Sequence, residues 1–259
     1  MDYQNILVAI ADEKATITFN RPQKRNAIDE RTMDELLHLL KELQDNPEIR
    51  VAVLRGNGKD FCAGADLDWM RTTQNMDESL LQKQNMKLQK VFTLWHDLPC
   101  LTIACVHGNV VGGALGLVAA SNIVISRPGA MFRFSEVTLG LMPATIAPFV
   151  LQRTIHSQLR NAMITAMPFN SEQASNFGLV DHVADEVKES ELLKELDTAI
   201  RKTEPNAVAQ TKKLTNDILL NRITEPLDEY TTLLLARVRR SEAASQRIAR
   251  FFESIDHRS

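Results

Sequence analysis

Cysteine, tryptophan and tyrosine are scarce in this chain of 259 residues, with three, two and two copies respectively. Cys62, Cys100 and Cys105 are odd in number and lack CxxC spacing. None of the six histidines falls in metal-ligand spacing, so neither a disulfide framework nor structural zinc is expected, and a reduced compartment is. No charge excess exists either. The 30 Lys and Arg against 33 Asp and Glu leave a net charge of -3, and with so few aromatics there is no basic-aromatic surface for nucleic acid. The opening Met-Asp-Tyr-Gln has neither a basic n-region nor an Arg/Ser-rich transit pattern, which sets the expectation of a cytoplasmic protein. Internal repeats and low-complexity linkers are missing too. Residues 100–126 are apolar enough to suggest a membrane span, but His107-Gly108-Asn109, Gly112-Gly113 and Ser121-Asn122 break the run, and strand, turn, buried helix, strand is the better fit.

What is present reads as α/β. "NILVAI" and "ATITFN" flank a polar turn and predict a hairpin. Asp29 caps a helix whose Met33, Leu36, Leu37, Leu40 and Leu43 recur at helical spacing until Asn46-Pro47. "VAVLRG" and "CLTIACV" read as buried strands on either side of an amphipathic helix over 77–98, which argues for parallel βαβ units. After about residue 145 only "LVDHV" keeps strand character. Gly178 is the C′ glycine of a helix begun near Ser171, and residues 190–255 read as three or four helices. The division expected is a core over 1–190 that carries the site and a helical region over 191–259.

Nine of the ten glycines lie between Gly56 and Gly140, so the tight turns and close backbone approaches concentrate there. Between Asp97 and Glu172 the only acidic residue is Glu136, in "FRFSEVTLG". Its apolar neighbours suggest a desolvated carboxylate with a pKa raised toward the range useful for proton transfer; the plainer alternative is a surface ion pair with Arg133 or Arg153. Gly64 and Gly112-Gly113 each sit at a turn leading into a helix, where outward N–H groups suit an oxyanion, unless the glycines serve helix packing. Glycines at 112, 113 and 116 do not form GxGxxG, and no P-loop lysine follows.

"RPQKRNAID", "GKDFCAGADL", "HGNVVGGALGL" and "FSEVTLGLMP", in this order and at these separations, resemble the crotonase (enoyl-CoA hydratase/isomerase) family over nearly the whole chain, and "SEQASNFGLVDHV" matches a further block. The resemblance implies a spiral core of ββα units with a C-terminal helical region, a homotrimer or hexamer, and acyl-CoA thioesters as substrates, coenzyme A being part of the substrate rather than a separate cofactor. It implies an oxyanion hole made by the backbone N–H groups of Ala65 and Gly113, where a side chain at Gly113 would crowd the thioester oxygen. Lys24 and Arg25 correspond to the segment that holds the nucleotide end of CoA, and Ala27, Ala63, Ala65, Asp66, Leu67 and Gly113 to the rest of the binding strip. The helical end corresponds to a trimerisation region, with Phe251, Phe252 and Arg258 as candidates to reach a neighbour's CoA site. Trp69 and Met70 are expected to pack in the core, with a place in the acyl tunnel the alternative.

The chain departs from the two-carboxylate hydratases at one place that matters. Their first acid falls at Gly116, so Glu136 stands alone; Ala114 replaces the third glycine and Asn122 the usual Asp. One carboxylate supports hydration of a 2-enoyl-CoA with the water otherwise held by backbone or a neutral side chain, or a proton shuttle between C2 and C4 of a 3-enoyl-CoA. A protein that binds acyl-CoA without turnover is the third reading. "EVTLGLMPATIAPFV" with Gly116 resembles the methylglutaconyl-CoA hydratase-like subgroup, and on that ground a hydratase is expected.

Overall fold

A computed structural model describes residues 2–154 and 156–256. The chain opens with β1 (Ile6–Ala11) and β2 (Lys14–Phe19), then α1 (Glu30–Gln44), β3 (Val51–Gly56), α2 (Leu67–Thr73) and α3 (Glu78–Asp97). The glycine-rich middle holds β4 (Leu101–Val106), β5 (Asn109–Val111), α4 (Ala114–Ala119), β6 (Ile123–Ser126) and β7 (Met131–Arg133), followed by a short 3-10 turn over Glu136–Leu139. α5 (Ala147–Arg153), α6 (Ser157–Thr165), β8 (Phe169–Asn170), α7 (Ser171–Asn176) and β9 (His182–Val183) lead to four helices, α8 (Glu186–Arg201), α9 (Pro205–Leu219), α10 (Leu227–Arg239) and α11 (Glu242–Asp256).

Two sheets share the strands. The larger runs β1-β2-β3-β4-β6-β9, antiparallel in the opening hairpin and parallel thereafter, because helical crossovers separate its later strands. The smaller runs β5-β7-β8, and an isolated parallel bridge from Cys62 to Val110 extends it by one position. Two turns of the chain, β4-β5-α4 and β6-β7-α5, give one strand to each sheet and then a helix. The short strands escape a reading by periodicity: three residues cannot display an alternation, and "LVDHV", at the edge of the larger sheet, pairs only at His182–Val183.

Strand alternation decides what covers the large sheet. Ala52, Leu54, Ala104 and Val106 join the main core with the buried face of α1. Val51, Val53, Ile103, Cys105 and Ile125 face the other way and are covered by Leu192, Leu193, Leu196 and Ile200 of α8. Residue 190, where a division is expected from the sequence, therefore falls inside the helix that closes the sheet's second face. α9 docks through Lys212, whose buried ammonium donates to the Cys100 carbonyl at 2.9 Å; burial lowers its pKa to about 8. α10 has no buried residue, and together with α11 it exposes Leu227, Leu233, Leu235, Ile248, Phe251 and Phe252. No helix among the described residues is long and apolar enough to cross a membrane.

Local chemistry sets the ends of α1 as expected. Asp29 caps it by accepting from Thr32 N–H at 2.8 Å. One turn on, Glu35 is almost fully buried and takes the backbone N–H groups of Gln4, Asn5 and Ile6 at 3.0, 2.8 and 3.1 Å, which ties the first strand to the helix. Glu35→Ala orphans these donors and should cost about 3 kcal/mol, whereas Arg31→Ala, which removes only its half-exposed ion-pair partner, should cost about 1 kcal/mol or less. Urea unfolding of the two variants checks the difference.

Candidate active site

Four backbone segments lie side by side at the edge where the site residues gather. The loop after β2 is held by Asn26, whose side chain donates to the carbonyls of Asn57 and Asp60, both at 2.8 Å, and accepts from Arg21 N–H. Ala63 N–H donates to Arg25 C=O, Ile28 N–H to Gly64 C=O and Asp66 N–H to Ile28 C=O, so Ala27, Ala63, Ala65, Asp66 and Leu67 form one strip. Cys62 N–H then bonds Asn109 C=O and Val111 N–H bonds Cys62 C=O; Gly112 N–H bonds Arg133 C=O at 2.9 Å. Pairing of backbone groups thereby brings Ala65, Gly113 and Glu136, distant in sequence, into neighbouring strips. Gly64 permits the approach, since a Cβ there would lie 2.9 Å from the Val111 oxygen.

The N–H groups of Ala65 and Gly113 donate to no group among the described residues. Gly113 is the N-cap of α4, so its free N–H lies at the positive end of that helix's first turn. Its φ of -54° suits any residue, and an added Cβ would make ordinary contacts of 3.9 Å with Leu88 and Phe92. Nothing in the protein itself demands glycine at 113. The demand falls on its neighbour: Gly112 has φ +54°, and a Cβ there would sit 3.3 Å from Ser135 Oγ and 3.5 Å from Glu136 Oε1.

Glu136 opens the 3-10 turn that follows β7 and is half-buried. Its Oε2 is buried with no hydrogen-bond partner. Burial raises its carboxyl above the ordinary glutamate value, against a smaller opposite effect of the backbone N–H groups of Glu136 and Ser135. The ion pair weighed from sequence does not form. Arg133 donates to Ala166 C=O, and Arg153 to the carbonyls of Leu179 and Ser121 and to the Asp181 carboxylate. A desolvated carboxylate with one unpartnered oxygen, next to Gly112 and so close in the fold to the free Gly113 N–H, is equipped to move a proton beside a carbonyl whose oxygen gains charge.

Position 116 is closed. A Cβ on Gly116 would lie 2.7 Å from Ile146 Cγ2 and 2.9 Å from Phe92 Cζ, so an apolar wall occupies the place of the second acid. Leu88, Phe92 and Ile146 are site residues that the sequence reading missed; the helical period of α3 marks the first two as inward-facing but not what they face. Cys62 nearby is no nucleophile, because burial pushes its thiol up to about 12. Among the described residues no three His, Cys, Asp or Glu side chains gather where they could hold a metal ion.

The outer residues divide by what they already bind. Lys24 pairs with Asp68 at 2.8 Å on the open surface, and Arg25 gives its Nε to buried Asp60 at 2.7 Å. Burial favours a neutral Asp60, but the bonds from Arg25 and Asn109 outweigh it and hold the carboxyl below its ordinary value. Arg25 keeps its terminal nitrogens. The Asp66 carboxylate points inward, capping α2 through Asp68 and Trp69 N–H and pairing with Arg21, while Leu67 is exposed. Trp69 packs against the main core. Phe251 and Phe252 lie exposed on α11, and Arg258 is outside the described residues.

Two substitutions separate the glycines' roles. Gly116→Ala should cost about 1–3 kcal/mol through overpacking against Ile146 and Phe92, and Gly113→Ala less than about 1 kcal/mol in either direction. Denaturant midpoints measure both.

Comparison with known proteins covers the same frame. The chain is 30% identical over 219 residues to the bacillaene synthase dehydratase PksH of Bacillus subtilis, covering 83% of this chain and 82% of that one. It superposes on an enoyl-CoA hydratase from Shewanella pealeana with a TM-score of 0.90 at 30% identity, covering 97% and 94% of the two chains. It superposes on AtuE of Pseudomonas aeruginosa with a TM-score of 0.89 at 31% identity, covering 97% of each. The family model for enoyl-CoA hydratase/isomerase matches residues 10–256. With its ββα turns, its paired loops and this match along nearly its full length, the chain belongs to the crotonase, or enoyl-CoA hydratase/isomerase, family.

Proposed function

We propose that this protein is an enoyl-CoA hydratase that works with one carboxylate, adding water reversibly across the 2,3 double bond of an acyl-CoA thioester. The observation that carries the reading is the buried, unpartnered Oε2 of Glu136 in a site with two unengaged N–H donors. In this mechanism the thioester oxygen accepts from Ala65 and Gly113 N–H. Glu136 takes a proton from water as its oxygen attacks C3, the N–H pair holds the enolate, and Glu136 returns a proton to C2. Lys24 and the terminal nitrogens of Arg25 are suited to the phosphates of coenzyme A, which belongs to the substrate and brings no separate cofactor. Leu88, Phe92 and Ile146 suit the methyl branch of a methylglutaconyl-type acyl group rather than its terminal carboxylate. The apolar faces left on α10 and α11 suit packing against neighbouring subunits in a trimer or hexamer.

One observation favours a second reading. With position 116 closed by Ile146 and Phe92, no second acid is available to water, and a 3,2-enoyl-CoA isomerase needs only the base. A protein that binds acyl-CoA without turnover would have no use for a desolvated carboxylate, whose burial opposes folding.

A short 2-enoyl-CoA and a 3-enoyl-CoA, followed by the absorbance of the conjugated thioester, separate the readings. Absorbance should fall with the first; a rise with the second alone would make the enzyme an isomerase, and silence with both would mean another acyl group, another reaction of the family or binding alone. Glu136→Gln should lower turnover by about 10²- to 10⁴-fold. The base works ionised, so kcat/KM should rise with pH through a midpoint above the ordinary glutamate value. Stability runs the opposite way. Because the folded-state pKa is raised, ionising Glu136 weakens the fold as pH climbs from the unfolded to the folded value. Glu136→Gln should therefore be at least as stable as the parent at neutral pH, an advantage that fades in acid; thermal unfolding at two pH values checks it.

A further inference from the structure

We propose that Ser135 is the second group that holds the attacking water, in place of the carboxylate that position 116 no longer carries. The proposal rests on the hydratase reading above.

Ser135 is the N-cap of the 3-10 turn over Glu136–Leu139, with φ -93° and ψ -9°, yet its side chain does not cap that turn. Its hydroxyl makes no hydrogen bond among the described residues, whereas the turn's other hydroxyl, that of Thr138, is spent on the Ser135 carbonyl at 2.6 Å. Ser135 Oγ and Glu136 Oε1 border one small volume. A point at the Cβ position of Gly112 lies 3.3 Å from the first and 3.5 Å from the second. Both oxygens therefore approach the same side of Gly112, and a water lying farther out from the Gly112 Cα than that point is placed to reach both. Glycine at 112, in a left-handed conformation, leaves no side chain of its own between these two oxygens and the backbone next to the Gly113 donor.

The two arginines weighed as partners of Glu136 do not reach the place. Arg133 and Arg153 are engaged elsewhere, and the side of Gly116 is filled by Ile146 and Phe92. The hydroxyl accepts from the water and fixes its lone pair toward C3, while Glu136 accepts the proton that leaves as the C3–O bond forms. Ser135 stays neutral throughout: the proton passes from water to Glu136 and then to C2, and the π pair of the double bond becomes the C2–H bond.

The test uses the full chain and two reactions that share Glu136 but differ in their need for a bound water. Hydration of a short 2-enoyl-CoA is measured beside exchange of the C2 protons of butyryl-CoA with deuterium oxide, for the parent, Ser135→Ala and Ser135→Thr. Ser135→Ala should slow hydration by about tenfold or more and leave exchange within about twofold, and Ser135→Thr, which keeps the hydroxyl, should recover part of the loss. Hydration by Ser135→Ala within twofold of the parent overturns the proposal. So does an equal fall in both reactions, which would make Ser135 a support for the Glu136 turn. Exchange without hydration in the parent sinks the hydratase reading and this role with it, a result distinct from the variant's failure alone.

Discussion

Lateral pairing of backbone past the ends of the parallel strands is the constraint on which the rest of this molecule depends. Each segment that leaves the large sheet must still satisfy its buried N–H and C=O groups, and it does so on the segment from the previous turn: 63–66 on 25–28, 109–111 on Cys62, Arg133 on Gly112. The polar side chains that matter most are staples in this pairing. Asn26 and Asp60 are buried because each satisfies several partners at once, Asp60 taking Arg25 and both the backbone and side-chain nitrogens of Asn109. Without that stack Ala65, Gly113 and Glu136 would belong to three unrelated loops.

Satisfaction is the rule around the site and is relaxed inside it. Glu35 shows the rule, with a carboxylate nearly without exposure whose partners include three backbone donors. Glu136 shows the exception, a carboxylate oxygen buried without a partner beside unspent N–H groups. An arrangement of this kind costs stability and persists where the unmet groups have work to do. The filling of position 116 by Ile146 and Phe92 has the same logic in reverse. Where a polar group has been given up, the chain packs the space rather than leaving it open.

Much of the frame was legible because its signals are local. The hairpin, the Asp29 cap and the helices on either side of "VAVLRG" and "CLTIACV" follow from alternation, helical spacing and capping, which need only a few adjacent residues. Glu136 was legible by its isolation in a long stretch without acids, and the four ordered blocks carried the family. The two- and three-residue strands were not legible, since they exist only as partners for segments elsewhere. Nor was the inward turn of the Asp66 carboxylate, which depends on Arg21, 45 residues away.

Spacing and order, which are properties of the chain itself, thus settled the longer elements and the family and singled out Glu136 as the lone acid between Asp97 and Glu172. The tertiary structure alone decided what surrounds that carboxylate. Arg133 and Arg153 sit close to it in sequence but bond elsewhere, Ser135 keeps a free hydroxyl, and Phe92 and Ile146, 54 positions apart, close over Gly116. Desolvation and packing are set by whatever fills the space around a group, and that space is made by residues far apart along the chain.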